Sequence, residues 1–136
     1  MHPTANENYE KFLEKYIINK EEKLKILDVG SYDVNGTLRP ACFKFIPNTE
    51  YIGLDQSSGP NVDIVGSSHN IPFDNNLFDI AISSSCFEHD PMFWLTFNEM
   101  VRVTKSNGLI YVCAPSGGGY HGYPGDCWRF FIDSWK

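Results

Sequence analysis

Leu24-Lys25-Ile26-Leu27-Asp28-Val29-Gly30-Ser31-Tyr32-Asp33 is the stretch on which the reading of the fold turns. Its first six residues form a short, largely apolar run of the kind that suits a strand buried inside a sheet. Gly30 closes the run where the backbone must turn tightly and come close to a ligand. Working outward, four more strands are expected, at Tyr51–Asp55, Val62–Val65, Phe78–Ser83 and Leu109–Ala114. Upstream, Tyr9, Phe12, Leu13, Tyr16 and Ile17 follow the helical period, with Thr4 or Asn6 as cap. Lys20–Lys23 is a charged connector. Between the last two strands, Asp90 should cap a helix with Pro91 in its first turn. Phe93, Trp94, Phe97, Met100 and Val101 would share one face of that helix, and Asn107-Gly108 would end the element. Strands alternating with helices predict an α/β fold, a doubly wound, Rossmann-like and mostly parallel sheet of about five strands. Pro115–Lys136, with three consecutive glycines and many aromatics, reads as an ordered loop over the carboxyl edge of that sheet.

The 136 residues predict a single domain over 1–136. Acidic residues outnumber basic ones, 17 against 11, for a net charge of −6, and the basic residues form no stripe. That balance argues against nucleic acid as a partner. No apolar run nears the roughly 18 residues of a membrane span. Met1–Glu10 carries no cationic stretch followed by an apolar one, so no signal peptide is expected. Cys42, Cys86, Cys113 and Cys127 are widely spaced, without a Cys-x-x-Cys pair. They read as a reduced cytoplasmic set, with no disulfide frame and no metal site expected.

In an open α/β sheet, ligands sit beyond the carboxyl ends of the strands, at the switch point of the strand order. The residues there are Asp28–Asp33, Asp55-Gln56, Ser67-Ser68-His69, Ser84-Ser85-Cys86 and Pro115-Ser116-Gly117. Asp55, 27 residues after Asp28, stands where a carboxylate takes ribose hydroxyls, so the pair predicts a nucleoside-containing ligand. The loop after the first strand carries Asp28 and Asp33 and only two glycines, Gly30 and Gly36. Two carboxylates repel the pyrophosphate of a nicotinamide dinucleotide and favour a cation. S-adenosyl-L-methionine, with an ammonium, a sulfonium and no phosphate, fits that charge. An NAD-dependent oxidoreductase is disfavoured on the same ground.

These blocks, in this order, resemble the class I S-adenosylmethionine-dependent methyltransferases, over about Leu24–Asp133. Leu24–Ser31 is similar to the family's first motif, and Tyr51–Asp55 to its second strand. Asn70–Phe73 with Phe78–His89 is similar to the block around the fourth strand, and Glu99–Leu109 to the approach to the fifth. Within that class the chain is most similar to the type-11 group, some of which share the Pro-Ser…His…Tyr-Pro…Asp-Cys-Trp-Arg-Phe tail of Pro115–Phe130. The resemblance implies that Asp28, Gly30 and Ser31 hold the methionine end of the cofactor, Asp55 its ribose, and Gln56 the side of its adenine. It places Ser67, Ser68 and His69 around the adenine ring and Ser84 and Cys86 beneath the methyl donor. Tyr32 stands where a second glycine is common.

A hydroxyl acceptor wants a general base, for which His121, Asp126 and His89 are the candidates. The aromatics Trp128, Phe130 and Phe131 are expected to pack over the fifth strand. The expected partner is a small-molecule or saccharide-like acceptor, the saccharide resting on the tail alone. The alternative is a non-catalytic cofactor-binding or interaction module. Relatives of this class continue for two more strands, the last antiparallel. With five, Leu109–Ala114 becomes an apolar edge, which predicts either a cover from Pro115–Lys136 or a homodimer through that edge.

Overall fold

The computed structural model describes residues 3–136. Five strands form one parallel sheet: β1 (Lys25–Val29), β2 (Glu50–Asp55), β3 (Ile64–Val65), β4 (Phe78–Ser84) and β5 (Thr104–Cys113), in the order β3-β2-β1-β4-β5. Helices α1 (Pro3–Tyr16) and α2 (Arg39–Phe45) cover one face, and α3 (Phe93–Val103) covers the other. The period of two explains the division. Ile26, Tyr51, Ile80 and Ile82 meet Tyr9 and Leu13 of α1 and Cys42 of α2. Leu27, Val29, Leu54 and Ala81 meet Met100 and Val103 of α3, together with Phe87 and Phe130. The expected doubly wound sheet is what the chain forms.

Three boundaries differ from the sequence reading. Thr4 and Asn6 lie inside α1, which begins at Pro3; the residue before it falls outside the described residues. Helix α3 starts at Phe93 with Met92 in the cap position; Asp90, two residues earlier, accepts Met92 N–H (2.9 Å) ahead of the first turn and also meets His69 and Thr96. Its buried face is Thr96, Met100 and Val103, while Trp94, Phe97 and Val101 are exposed. Asn107-Gly108 does not end an element: α3 passes straight into β5 at Thr104. A bulge takes up the extra residues, with Phe78 paired to Thr104 and Ile80 already to Leu109. Arg102 braces this junction by donating to the carbonyls of Ile71 (2.9 Å) and Phe73 (2.8 Å) and pairing with Glu99 (2.7 Å).

The tail from Pro115 lies across the carboxyl edge, as expected. Phe130 N–H donates to the Pro115 carbonyl (2.9 Å), and the N–H groups of Cys127 and Trp128 both reach the Glu88 carbonyl (2.7 and 3.1 Å). Phe130 packs between Phe87 and Phe93, Trp128 sits against Phe93 and Trp94, and Phe131 is exposed instead of packed. β5 is an edge strand. Among the described residues, no helix is long and apolar enough to cross a membrane. Ile82, fully buried on β4, sets a measure of the packing. Ile82→Ala should cost about 2–5 kcal/mol in urea unfolding, seen as a lower midpoint with an unchanged slope.

Candidate active site

The strand order reverses between β1 and β4, so the loops leaving these neighbours diverge and open a cavity above the sheet. Its volume is about 1060 Å³, enough for a nucleoside-sized ligand and a second molecule beside it. Its walls come from the loops after β1, β2, β4 and β5, from the first turns of α1 and from the tail around His121.

On the β1–β2 side the central group is Asp28, buried to 5 % exposure. Tyr51 OH donates to its Oδ2 at 2.7 Å, and Asn61 Nδ2 reaches the same oxygen at 3.4 Å. Burial pushes the carboxyl up to about 6, against the pull of these two donors and of the Arg39 charge. Asn61 also donates to the Ser31 carbonyl (2.9 Å) and to Thr37 (2.8 Å), tying the loop after β1 to the turn before β3. Gly30 adopts φ +78°, and a Cβ there would stand 2.4 Å from the Cys86 sulfur. Only glycine lets the first loop turn this close to the end of β4. Asp55 accepts from Tyr32 N–H (3.2 Å) and Ser57 N–H (2.9 Å), which holds both neighbouring loops and leaves further lone pairs on its oxygens.

On the β4–tail side stand Glu88, His89 and His121. Glu88 is buried to 1 % exposure, and burial raises its carboxyl above the ordinary range. His89 donates from Nδ1 to the Gly125 carbonyl (2.5 Å), and the His121 ring meets it edge-on at 5.1 Å between centroids. Asp126 accepts the His121 main-chain N–H (2.8 Å) and is gripped by Arg129 at 2.5 and 2.7 Å. The Arg129 guanidinium holds the Asp126 carboxyl well below the usual carboxylate range, which suits a brace and not a base. Arg129, whose role the sequence leaves open, thus orders the tail.

The structure brings Asp28, Gly30, Ser31, Asp55, Gln56, Ser84, Cys86, His89 and His121 to the cavity wall. Asp126 stands behind His121. Ser67, Ser68 and His69 are outside the lining. His69 Nε2 lies 2.9 Å from Asp90, and the Thr96 hydroxyl bridges Ser68 Oγ (2.8 Å) and Asp90 (2.6 Å), so this turn fastens the start of α3. Asp33 also stands outside, its carboxylate turned onto Gly36 N–H at 2.7 Å. Glu88 takes its place as the third acid. The lining then holds Asp28, Asp55 and Glu88, and no lysine or arginine. Burial pushes the Cys86 thiol up to about 12, so it is a neutral floor and not a nucleophile.

A sequence profile described as a methyltransferase domain matches residues 27–112, more than half of the chain. The chain belongs to this methyltransferase family. Among curated relatives, an uncharacterized methyltransferase of Mycobacterium leprae (strain TN) is 48% identical over 40 residues, 29% of this chain and 15% of its own. One from Mycobacterium sp. (strain JLS) is 36% identical over 70 residues, 44% of this chain and 28% of its own. The matched stretches thus cover less than a third of the length of each of these relatives. Of solved structures, a SAM-dependent methyltransferase from Aquifex aeolicus superposes with a TM-score of 0.62 at 17% identity, over 90% of this chain and 78% of that one. The [4+2]-cyclase SpnF has the same fold, with a TM-score of 0.62 at 18% identity over 78% of this chain and 44% of its own.

The methyltransferase domain also uses residues that sequence reasoning passed over. Tyr51 and Asn61 position Asp28 across 23 and 33 residues of chain, and no local pattern announces such contacts. Glu88 had a visible signal, an acid beside a histidine just after β4. The Asp28 environment has a measurable consequence. Its folded-state value, about 6, lies above the ordinary 3.8, so between these the folded chain holds the extra proton. Stability should fall as pH rises through this window, by on the order of 2 kcal/mol, and stay level above it. Urea unfolding at pH 4.5 and 7 should show this fall, and Asp28→Asn should reduce it, leaving the part that buried Glu88 contributes with the same sign.

Proposed function

We propose that this methyltransferase domain binds S-adenosyl-L-methionine in the cavity above β1 and β4 and transfers its methyl group to a small-molecule, hydroxyl-bearing acceptor, saccharides included. The observation that carries this reading is the charge of the wall: three carboxylates and no cationic side chain among the lining residues. A sulfonium and an ammonium are attracted by that wall, whereas a pyrophosphate is repelled. The residues fit the group in shape as well, since the Gly30 turn brings main chain to the cavity without a side chain in the way.

Bound there, the cofactor supplies a methyl group already activated on sulfur, so alignment can carry most of the rate. Asp28 and the Ser31 loop would take the amino acid end, Asp55 the ribose hydroxyls and Gln56 the edge of the base. Ser84 and Cys86 would close the floor beneath the donor. His121 and His89 face the remaining space, where an acceptor hydroxyl would lie, and Asp126 with Arg129 would hold His121 in place. The four unpaired thiols support a reducing, cytoplasmic setting.

Calorimetry should show S-adenosylhomocysteine binding one to one, with Asp55→Ala weakening it at least about tenfold, the loss of about 1.4 kcal/mol expected for a charge-assisted hydrogen bond. No heat with S-adenosylhomocysteine, or a response to NADH instead, would overturn the assignment. Binding without turnover on any acceptor panel would favour a cofactor-binding module.

The open side of β5 also supports self-association. Among the described residues β5 has a neighbouring strand on one side, and its half-exposed apolar residues are what a second copy would cover by strand pairing. Light scattering at micromolar concentration should give twice the monomer mass; a monomer throughout would remove the dimer.

A further inference from the structure

Three ligand-type atoms gather on the acceptor side of the cavity. One atom each from Glu88, His89 and His121 lies within 4.8 Å of the other two. A second observation sets this group apart from a chance cluster. Glu88 Oε2 is buried and has no hydrogen-bond partner in the structure, although the residue is only 1 % exposed. A buried carboxylate oxygen left unmatched is costly, and a cation is the partner that would satisfy it.

We propose that Glu88, His89 and His121 bind a divalent transition-metal ion of the Zn²⁺ class at the wall of the cavity, where its open coordination positions take the acceptor hydroxyl. The proposal rests on the methyl-transfer reading for the identity of that hydroxyl, and on these three residues for the ion. Two imidazoles and a carboxylate suit Zn²⁺ and its neighbours better than Mg²⁺ or Ca²⁺, which prefer all-oxygen shells. Three protein ligands leave room for exogenous ones, as in catalytic and not structural sites.

The surroundings are those that orient ligands. A carbonyl can only accept, so the bond from His89 Nδ1 to Gly125 puts the hydrogen on Nδ1 and leaves the Nε2 lone pair free. Nε2 is the nitrogen that faces Glu88, 3.8 Å from Oε1. The loop bearing His121 is fixed twice: Asp126 accepts its main-chain N–H, and Arg129 clamps Asp126 while donating to Gly119 at 3.0 Å. The N–H groups of Cys127 and Trp128 fasten the same loop to the Glu88 carbonyl. Ion pairing with Asp126 offsets the Arg129 charge near the cluster.

A hydroxyl on such an ion is more acidic, and its proton leaves to solvent. When that oxygen takes the methyl group, the O–C bond forms as the S–C bond breaks, and the sulfur keeps the pair. Nothing is oxidised or reduced.

The test titrates the full chain, stripped with a chelator, with Co²⁺ followed by its visible ligand-field spectrum and with Zn²⁺ followed by calorimetry. One ion per chain is expected, with at least about tenfold weaker binding in His121→Ala and in Glu88→Gln. His121 lies on an exposed loop, so His121→Ala remains informative if Glu88→Gln fails to fold by circular dichroism. Absence of a stoichiometric site, or equal affinity in wild type and His121→Ala, overturns the proposal. S-adenosylhomocysteine binding on the same stripped samples separates the two readings. Cofactor binding without metal binding removes the metal centre alone; metal binding without cofactor binding keeps the centre and removes methyl transfer.

Discussion

A carboxylate taken out of water at the end of a strand must be matched by donors or by a cation, and around Asp28 much of the site is arranged to do so. Tyr51 comes from the neighbouring strand and Asn61 from the turn beyond it, and both reach the same oxygen. The match is incomplete, since burial still outweighs the donors and lifts the carboxyl to about 6. What is left over is an attraction for positive charge at the mouth of β1. The loops that form the β1–β2 side of the cavity are tied by Asn61, which holds the Ser31 carbonyl, and by Asp55, which holds Tyr32 and Ser57. Electrostatic demand and loop geometry are therefore one constraint here.

The parts of this arrangement that local sequence reveals are those set by local rules. Strands β1, β2 and β4 follow from apolar runs ended by turn formers, and Asp28, Gly30 and Asp55 follow from their places at strand ends. Where non-local contacts decide, the sequence is mute or misleading. Asn107-Gly108 has the composition of a turn, yet β5 runs through it because pairing with β4 and a bulge absorb the extra residues. Asp90 has the composition of a helix cap, yet His69 and Thr96 compete for its carboxylate. Asp33 and Glu88 exchange roles for a similar reason. Asp33 can satisfy itself on Gly36 in its own turn, while Glu88, drawn in beneath the tail, cannot.

The cavity is consequently built in two halves with different logic. The β1–β2 half belongs to the sheet: its groups sit on strand ends whose positions are fixed by the parallel ladder. The other half depends on the tail, whose order comes from an ion pair between Asp126 and Arg129, backbone bonds to Glu88, and the packing of Phe130 and Trp128. The first half is set by the sheet and the second by the tail, and sites of different chemistry can be grafted on one fold in this way.

It follows that the acceptor chemistry should be sought in the tail and in the residues it covers, not in the sheet. Glu88 is where the two halves meet. It follows the end of β4 by four residues, and the tail is fastened to its main-chain carbonyl by the Cys127 and Trp128 N–H groups while its side chain is buried. A group in that position has its geometry set by the sheet and its solvation set by the tail. That combination lets a change in the tail alter the Glu88 side of the cavity without disturbing the strand ends around Asp28.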